Sequence, residues 1–203
     1  MINNTTFDEK LHLIKNIYFE KDCQTFSEDE IAYVEEKLQF TMPLALKKFY
    51  LIFGADYDFL KCMYDIATPK ELYIENNILM IAREYQNVCG YGIDINTQRP
   101  IYFDISNSII QTVEQDIEDF LLYLLAVQGT QFFPCVGKVN LELAEKLEKN
   151  LVRISKADGE GCVFCDKKSI IAFAAGNELF ITAKDDECME KLENECGLEV
   201  DYL

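Results

Sequence analysis

The apolar positions of this chain change their spacing several times, and each change marks an element. Residues 27–54 read SEDEIAYVEEKLQFTMPLALKKFYLIFG. Ile31, Val34 and Leu38 recur at helical spacing with Glu35, Glu36 and Lys37 between them, which predicts a helix with one buried stripe. Ser27 followed three residues on by Glu30 is a capping-box pattern at its start. Pro43 suits the first turn of a second helix, where no N–H is needed. Leu46, Phe49, Tyr50 and Phe53 then line one face, and Gly54 supplies a residue that tolerates positive φ past the last turn. The two helices are expected to pair.

The period then shortens. Residues 59–64 (FLKCMY), 78–82 (ILMIA), 88–93 (VCGYGI) and 101–104 (IYFD) are short apolar runs separated by turn-forming segments, which predicts strands of a meander. NTQRP before the last of these reads as a hairpin connection, with Pro100 at the strand's start. Ile117, Phe120, Leu121 and Leu124 mark a third helix ending near Gly129. Residues 131–136, with Pro134, read as a connector, and Leu141, Ala144 and Leu147 as a short helix. Strands are predicted over 151–155, 161–165, 169–174 and 179–182, with Gly176-Asn177 as a hairpin. Met189, Leu192 and Cys196 give a closing helix stopped by Gly197. The fold class is therefore α+β: a helix pair packed on a meandering, mainly antiparallel sheet, then a smaller C-terminal β-rich lobe closed by a helix. Pro134 and Gly129 interrupt the pattern, so the division is expected between residues 1–130 and 131–203, with extension of the first sheet by the second segment as the alternative.

A capped acidic helix, a proline-started helix ending in Phe and Gly, and a meander centred on ILMIAREYQNVCGYGID together resemble the SMI1/KNR4 (SUKH) superfamily over roughly residues 27–129. Ile31, Glu35 and Leu38 resemble the family's first-helix positions, Pro43, Phe49, Tyr50 and Gly54 its second, and Glu84, Gln86 and Gly92 its strand-and-turn signature. The interhelix turn Gln39-Phe40-Thr41-Met42 departs from the family pattern, as does the lack of tryptophan. The resemblance implies an α+β binding module without enzymatic chemistry. In bacteria such modules are mostly immunity proteins that neutralise a toxin, often a nuclease, and fungal relatives are linked to regulation of cell-wall synthesis.

Charge narrows the partner. The 203 residues carry 19 basic and 36 acidic side chains, a net charge of −17, which repels nucleic acid and anionic lipid. Residues 185–203 hold eight acids against Lys191 alone. A basic protein partner is expected, and no nucleic acid or membrane. On that expectation Tyr85, Tyr91 and Tyr102 are candidates for an aromatic centre. Glu84, Asp94, Glu114, Asp116, Glu118 and Asp119 are candidates for its acidic rim. Alternation in so short a strand leaves open which face Tyr85 and Tyr91 take.

Candidate chemistry changes this picture little. Cys162 and Cys165 form the one C-x-x-C, but three residues apart on a strand they face opposite ways, and no second pair completes a zinc site. The single histidine, His12, lies in the helical pattern LHLIKNIYF with nothing to mark it as activated. Gly90 and Gly92 lack the third glycine and following helix of a nucleotide loop, and close backbone approach accounts for them better. No metal, cofactor or catalytic residue is assigned. A thiol- or carboxylate-dependent enzyme and an envelope-synthesis scaffold are the alternatives. The start MINNTTFDEKLHL lacks a basic, apolar leader pattern, so with no apolar run near ~20 residues the chain is expected in the cytoplasm, its eight cysteines reduced.

Overall fold

A computed structural model describes residues 5–19, 24–53, 56–107, 109–156 and 161–203. The chain opens with α1 (Phe7–Tyr18). Next come α2 (Glu28–Leu38), α3 (Leu44–Ile52), the single turn α4 (Tyr57–Leu60), and strands β1 (Tyr64–Ile66) and β2 (Tyr73–Glu75). The meander continues with β3 (Ile78–Glu84), β4 (Cys89–Asp94), β5 (Pro100–Asp104) and β6 (Ile109–Thr112). The long helix α5 (Ile117–Phe132) leads to β7 (Cys135–Asn140), the short α6 (Ala144–Leu147), β8 (Val152–Arg153) and β9 (Val163–Cys165). The hairpin β10 (Ile170–Ala175) and β11 (Glu178–Ala183), α7 (Asp186–Cys196) and β12 (Asp201–Tyr202) complete an α+β fold.

Two compact units result, one of Cys23–Leu121 and one of Met1–Asp22 with Leu122–Leu203. The first helix thus groups with the C-terminal half, a division different from the boundary drawn at residue 130. The cause is visible within that unit. The Tyr18 hydroxyl donates to the Leu125 carbonyl at 2.6 Å, and its ring stacks on Phe133 at 5.0 Å. Gly129 permits this close approach, since a Cβ there would fall 2.8 Å from the Tyr18 hydroxyl and 2.7 Å from Thr182 Oγ1.

In the unit Cys23–Leu121, the sheet runs β1-β3-β4-β5-β6, with β2 also paired to β3, all antiparallel. Asn76 and Asn77 both take positive φ, the two-residue turn that matches the twist of the β2–β3 hairpin. Ser27 caps α2 as its sequence demands, and Pro43 stands one residue before α3, as its cap. Gly54 lies outside the described residues. Residues 59–64 do not form the strand that their composition predicts: the Asp56 carboxylate accepts the Phe59 N–H at 2.9 Å and starts α4, so β1 begins only at Tyr64. Phe49, Tyr50, Phe53, Phe59, Leu79 and Ile93 form the interior of this unit. A separate small cluster of Ile78, Met80 and Ile101, with Phe103 against it, lies over Gly90 and Gly92 on the other face of the sheet.

In the other unit the sheet order is β12-β7-β11-β10-β9-β8. Phe164, Ala172, Leu179 and Ile181 pack with Met189, Leu192 and Cys196 of α7, which ends at Gly197 with φ of 60° as expected. On the opposite face Phe173 stacks on Phe180 at 5.4 Å and meets Tyr123 of α5 edge-on at 5.6 Å. Helix α5 continues three residues past Gly129, and from Phe120 to Gly129 only Tyr123 escapes full burial. An all-round apolar helix is an interior element, not the one-faced helix its periodicity predicts.

Three capping boxes, Thr6/Glu9, Ser27/Glu30 and Thr68/Glu71, carry a pH signature. The Thr6 and Ser27 N–H groups hold the Glu9 and Glu30 carboxyls below their ordinary 4.5. For Glu71 burial pulls upward, but the Thr68 N–H and the Lys61 ammonium outweigh it and the carboxyl is lowered too. Carboxyls lowered in the folded state stabilise fully above their unfolded pKa, and that stabilisation disappears as the pH falls through the folded value. The urea midpoint is therefore expected to hold steady from pH ~7 to ~5 and to drop below ~4.5. Replacing all three with glutamine should flatten that drop; an unchanged acid limb would show that the caps are not its source.

Candidate binding surface

The meander β3–β5 brings together three of the residues singled out in the sequence, Glu84, Tyr91 and Tyr102, with Cys89 beside them. Tyr91 stands opposite Tyr102 across β4 and β5, and Cys89 opposite Asp104. Strands put residues two apart on one face, so Glu84, Cys89, Tyr91 and Tyr102 share a face. Tyr91 is half-buried there, its ring 5.6 Å from Tyr102, 5.5 Å from Tyr64 and 5.3 Å from Phe120. Burial, reinforced by Tyr64, pushes its phenol well above the ordinary range. The same desolvation, followed by the Cys89 thiol and the carboxylates of Asp104 and Glu84, raises Tyr102. One carboxylate oxygen of Glu84, Oε2, is buried without a hydrogen-bond partner among the described residues.

The remaining candidates spread outward. Tyr85, 81 % exposed, stands on the β3–β4 turn. The Asp94 carboxylate accepts N–H groups of Asn96 at 2.9 Å and Thr97 at 2.7 Å, so it builds the turn into β5, and these bonds lower its pKa. Glu114 is exposed, and Arg99 donates to its carbonyl at 3.0 Å. Asp116 is also exposed and caps α5 by accepting the Asp119 N–H at 2.9 Å. Glu118 is half-buried, whereas Asp119 is only 2 % exposed and stands inside the unit, not on a rim. Helical geometry explains the split: successive residues point about 100° apart, so neighbouring acids cannot all face water.

Two features escaped the sequence reading. A groove of about 210 Å³ is lined by Lys61, Asp65, Glu71, Tyr73, Met80 and Arg83 among others. There the Lys61 ammonium bridges Asp65 and Glu71, and the Arg83 guanidinium lies over the Tyr73 ring. Its charges are matched, so it favours no ion of either sign. The second is β6, whose residues are all exposed. SIIQTV between Asn107 and Glu114 carried that signal, a β-branched run bounded by turn residues.

Chemistry-bearing residues elsewhere stay apart. Cys165 pairs with Ile171 on one face of its sheet, while Cys162 packs in the cluster under α7 on the other, and burial pushes the Cys165 thiol up to about 12. His12 is exposed on α1. Among the described residues no three His, Cys, Asp or Glu side chains are grouped to hold a metal ion, and no helix is long and apolar enough to cross a membrane. No family model, no curated protein and no solved structure matches this chain.

Proposed function

We propose that the chain is a non-catalytic protein-binding module of the SMI1/KNR4 (SUKH) type, an immunity protein that covers the active surface of a basic toxin domain. The observation that carries this reading is the charge of the unit Cys23–Leu121, which holds 7 basic and 17 acidic residues, a net −10. Supporting it is the order of elements over residues 27–132, a helix pair, an antiparallel meander and then α5. An excess of one sign accelerates encounter with the opposite sign and penalises like-charged competitors, while adding less to final affinity. A standard interface would cover ~800 Å² of this chain.

The test is to identify the polypeptide encoded next to this gene and measure its association with the purified chain. Association is expected to slow about tenfold or more as salt rises from ~0.05 to ~0.5 M, since the Debye length shrinks. Capture indifferent to salt removes the electrostatic proposal. An isolated locus with no toxin beside it favours a scaffold, and substrate turnover abolished by replacing one thiol or carboxyl establishes an enzyme instead.

A further inference from the structure

We infer that β6 is a docking edge, to which an extended segment of a basic protein partner adds as a further strand; this rests on the reading of the chain as a binder of basic protein. Sheet edges are usually defended by charge, proline, a bulge or brevity. The opposite side of this sheet has those defences: β1 and β2 are three residues each, and Asp65 and Glu75 lie on them. The edge strands β8 and β12 of the other sheet have two residues each and carry Arg153 and Asp201. Strand β6, four residues long, lacks the charge and proline, since residues 105–113 (ISNSIIQTV) contain neither, and its pairing with β5 runs without a register shift.

Its hydrogen-bonding side is open. The Val113 N–H donates to the Pro100 carbonyl at 2.9 Å, and Gln111 and Ile109 stand opposite Tyr102 and Asp104. Backbone groups alternate along an antiparallel strand, so residues 113, 111 and 109 turn theirs toward β5. Ile110 and Thr112 then turn their N–H and C=O groups outward, away from the sheet. Their side chains do not hide this edge: Ile110 is 60 % exposed, and Thr112 is exposed as well. Arg99 ties the strand's exit from within the sheet, donating to the carbonyls of Val113 at 3.3 Å and Glu114 at 3.0 Å.

Charge selects the occupant. Asp104 stands opposite the first residue of β6, and the exposed Glu114 and Asp116 follow its last, so an uncharged middle is flanked by acids at both ends. The complementary strand has a β-branched middle and lysine or arginine at its ends. A second copy of this chain meets the edge with a net charge of −17 of its own and with no base on residues 105–113 to offset it. Main-chain bonds to Ile110 and Thr112 supply affinity in such strand addition, and the flanking charges supply selectivity.

The test uses the full chain and the synthetic peptide Lys-Lys-Val-Thr-Val-Thr-Lys-Lys with blocked ends. Binding is expected to slow amide exchange at Ile110 and Thr112, already protected residues in β5 changing little. N-methylating alternate core amides of the peptide retains its charge and side chains, and should weaken binding roughly tenfold or more by removing the ladder. Ile110→Pro, which removes an outward N–H and leaves the β5 ladder intact, should do the same while the melting temperature stays near that of the parent. The inference is overturned by equal binding of the N-methylated peptide, by binding without protection of Ile110 and Thr112, or by no binding at millimolar peptide. It is also overturned if those amides are protected by self-association in the peptide's absence. Salt-sensitive binding that protects neither amide overturns edge docking alone and leaves the basic-partner reading standing.

Discussion

Replacing Gly92 with valine is expected to lower the stability of the chain by about 3 kcal/mol, seen as a fall in urea midpoint at unchanged slope. A Cβ at this position would stand 2.3 Å from Ile78 Cγ2 and 2.8 Å from the Leu79 backbone oxygen. The side-chain contact can relax, but the backbone one cannot, because Leu79 is paired with Ile93 on one side and Ile74 on the other. Gly90 is placed in the same way, with a Cβ 2.4 Å from the Phe103 ring and 2.6 Å from the Ala82 oxygen. These glycines make room for the cluster of Ile78, Met80, Ile101 and Phe103. A loss under ~1 kcal/mol for Gly92→Val would mean that β3 and β4 do not lie as close as this.

Tyr50→Ala is expected to cost about 4 kcal/mol, and Tyr50→Phe only about 1–2 kcal/mol. Tyr50 has no exposed surface, packs edge-on against Phe26 at 5.7 Å and Phe49 at 5.2 Å, and donates its hydroxyl to the Ala67 carbonyl at 2.7 Å. The alanine variant leaves a cavity between α3 and its neighbours, and the phenylalanine variant only orphans one carbonyl. Burial pushes the Tyr50 phenol above the ordinary range, so it keeps its proton, and this hydrogen bond, at pH values where an exposed tyrosine begins to ionise. Equal losses in the two variants would assign the whole contribution to the hydroxyl and contradict the packing described.

Local signals in the sequence were reliable where an element carries its own start and stop. Ser27 with Glu30, Gly197, Pro100 and Gly176 each sit where their chemistry requires, because caps and turns depend only on neighbours. The apolar run FLKCMY misled, since a short apolar stretch suits helix and strand alike and Asp56 decided it. The grouping of α1 with the C-terminal half depends on contacts such as Tyr18 with Leu125, 107 residues apart, and no local pattern records those. Of the candidate site, the shared face of Glu84, Tyr91 and Tyr102 depends on the register of β3, β4 and β5, including the shift between Met80 and Ala82, which alternation within one strand leaves open. The inward position of Asp119 did not, because a string of acids at a helix start reads as solvated whichever way each one points.

Strand β3 has an unusual neighbour arrangement on its side away from β4. Residues 78–80 pair with β2 and residues 82–84 with β1; at the change-over the Ile81 carbonyl accepts the Ala67 N–H at 2.9 Å, and the β3–β4 register shifts between Met80 and Ala82. That flank is a seam sewn from two separate threads. Either can fray without unpicking the other, so deuterium uptake at the amides of Tyr73 and Asp65, which face β3 from the two threads, should follow two independent time courses, while β4 preserves the backbone of the sheet through both.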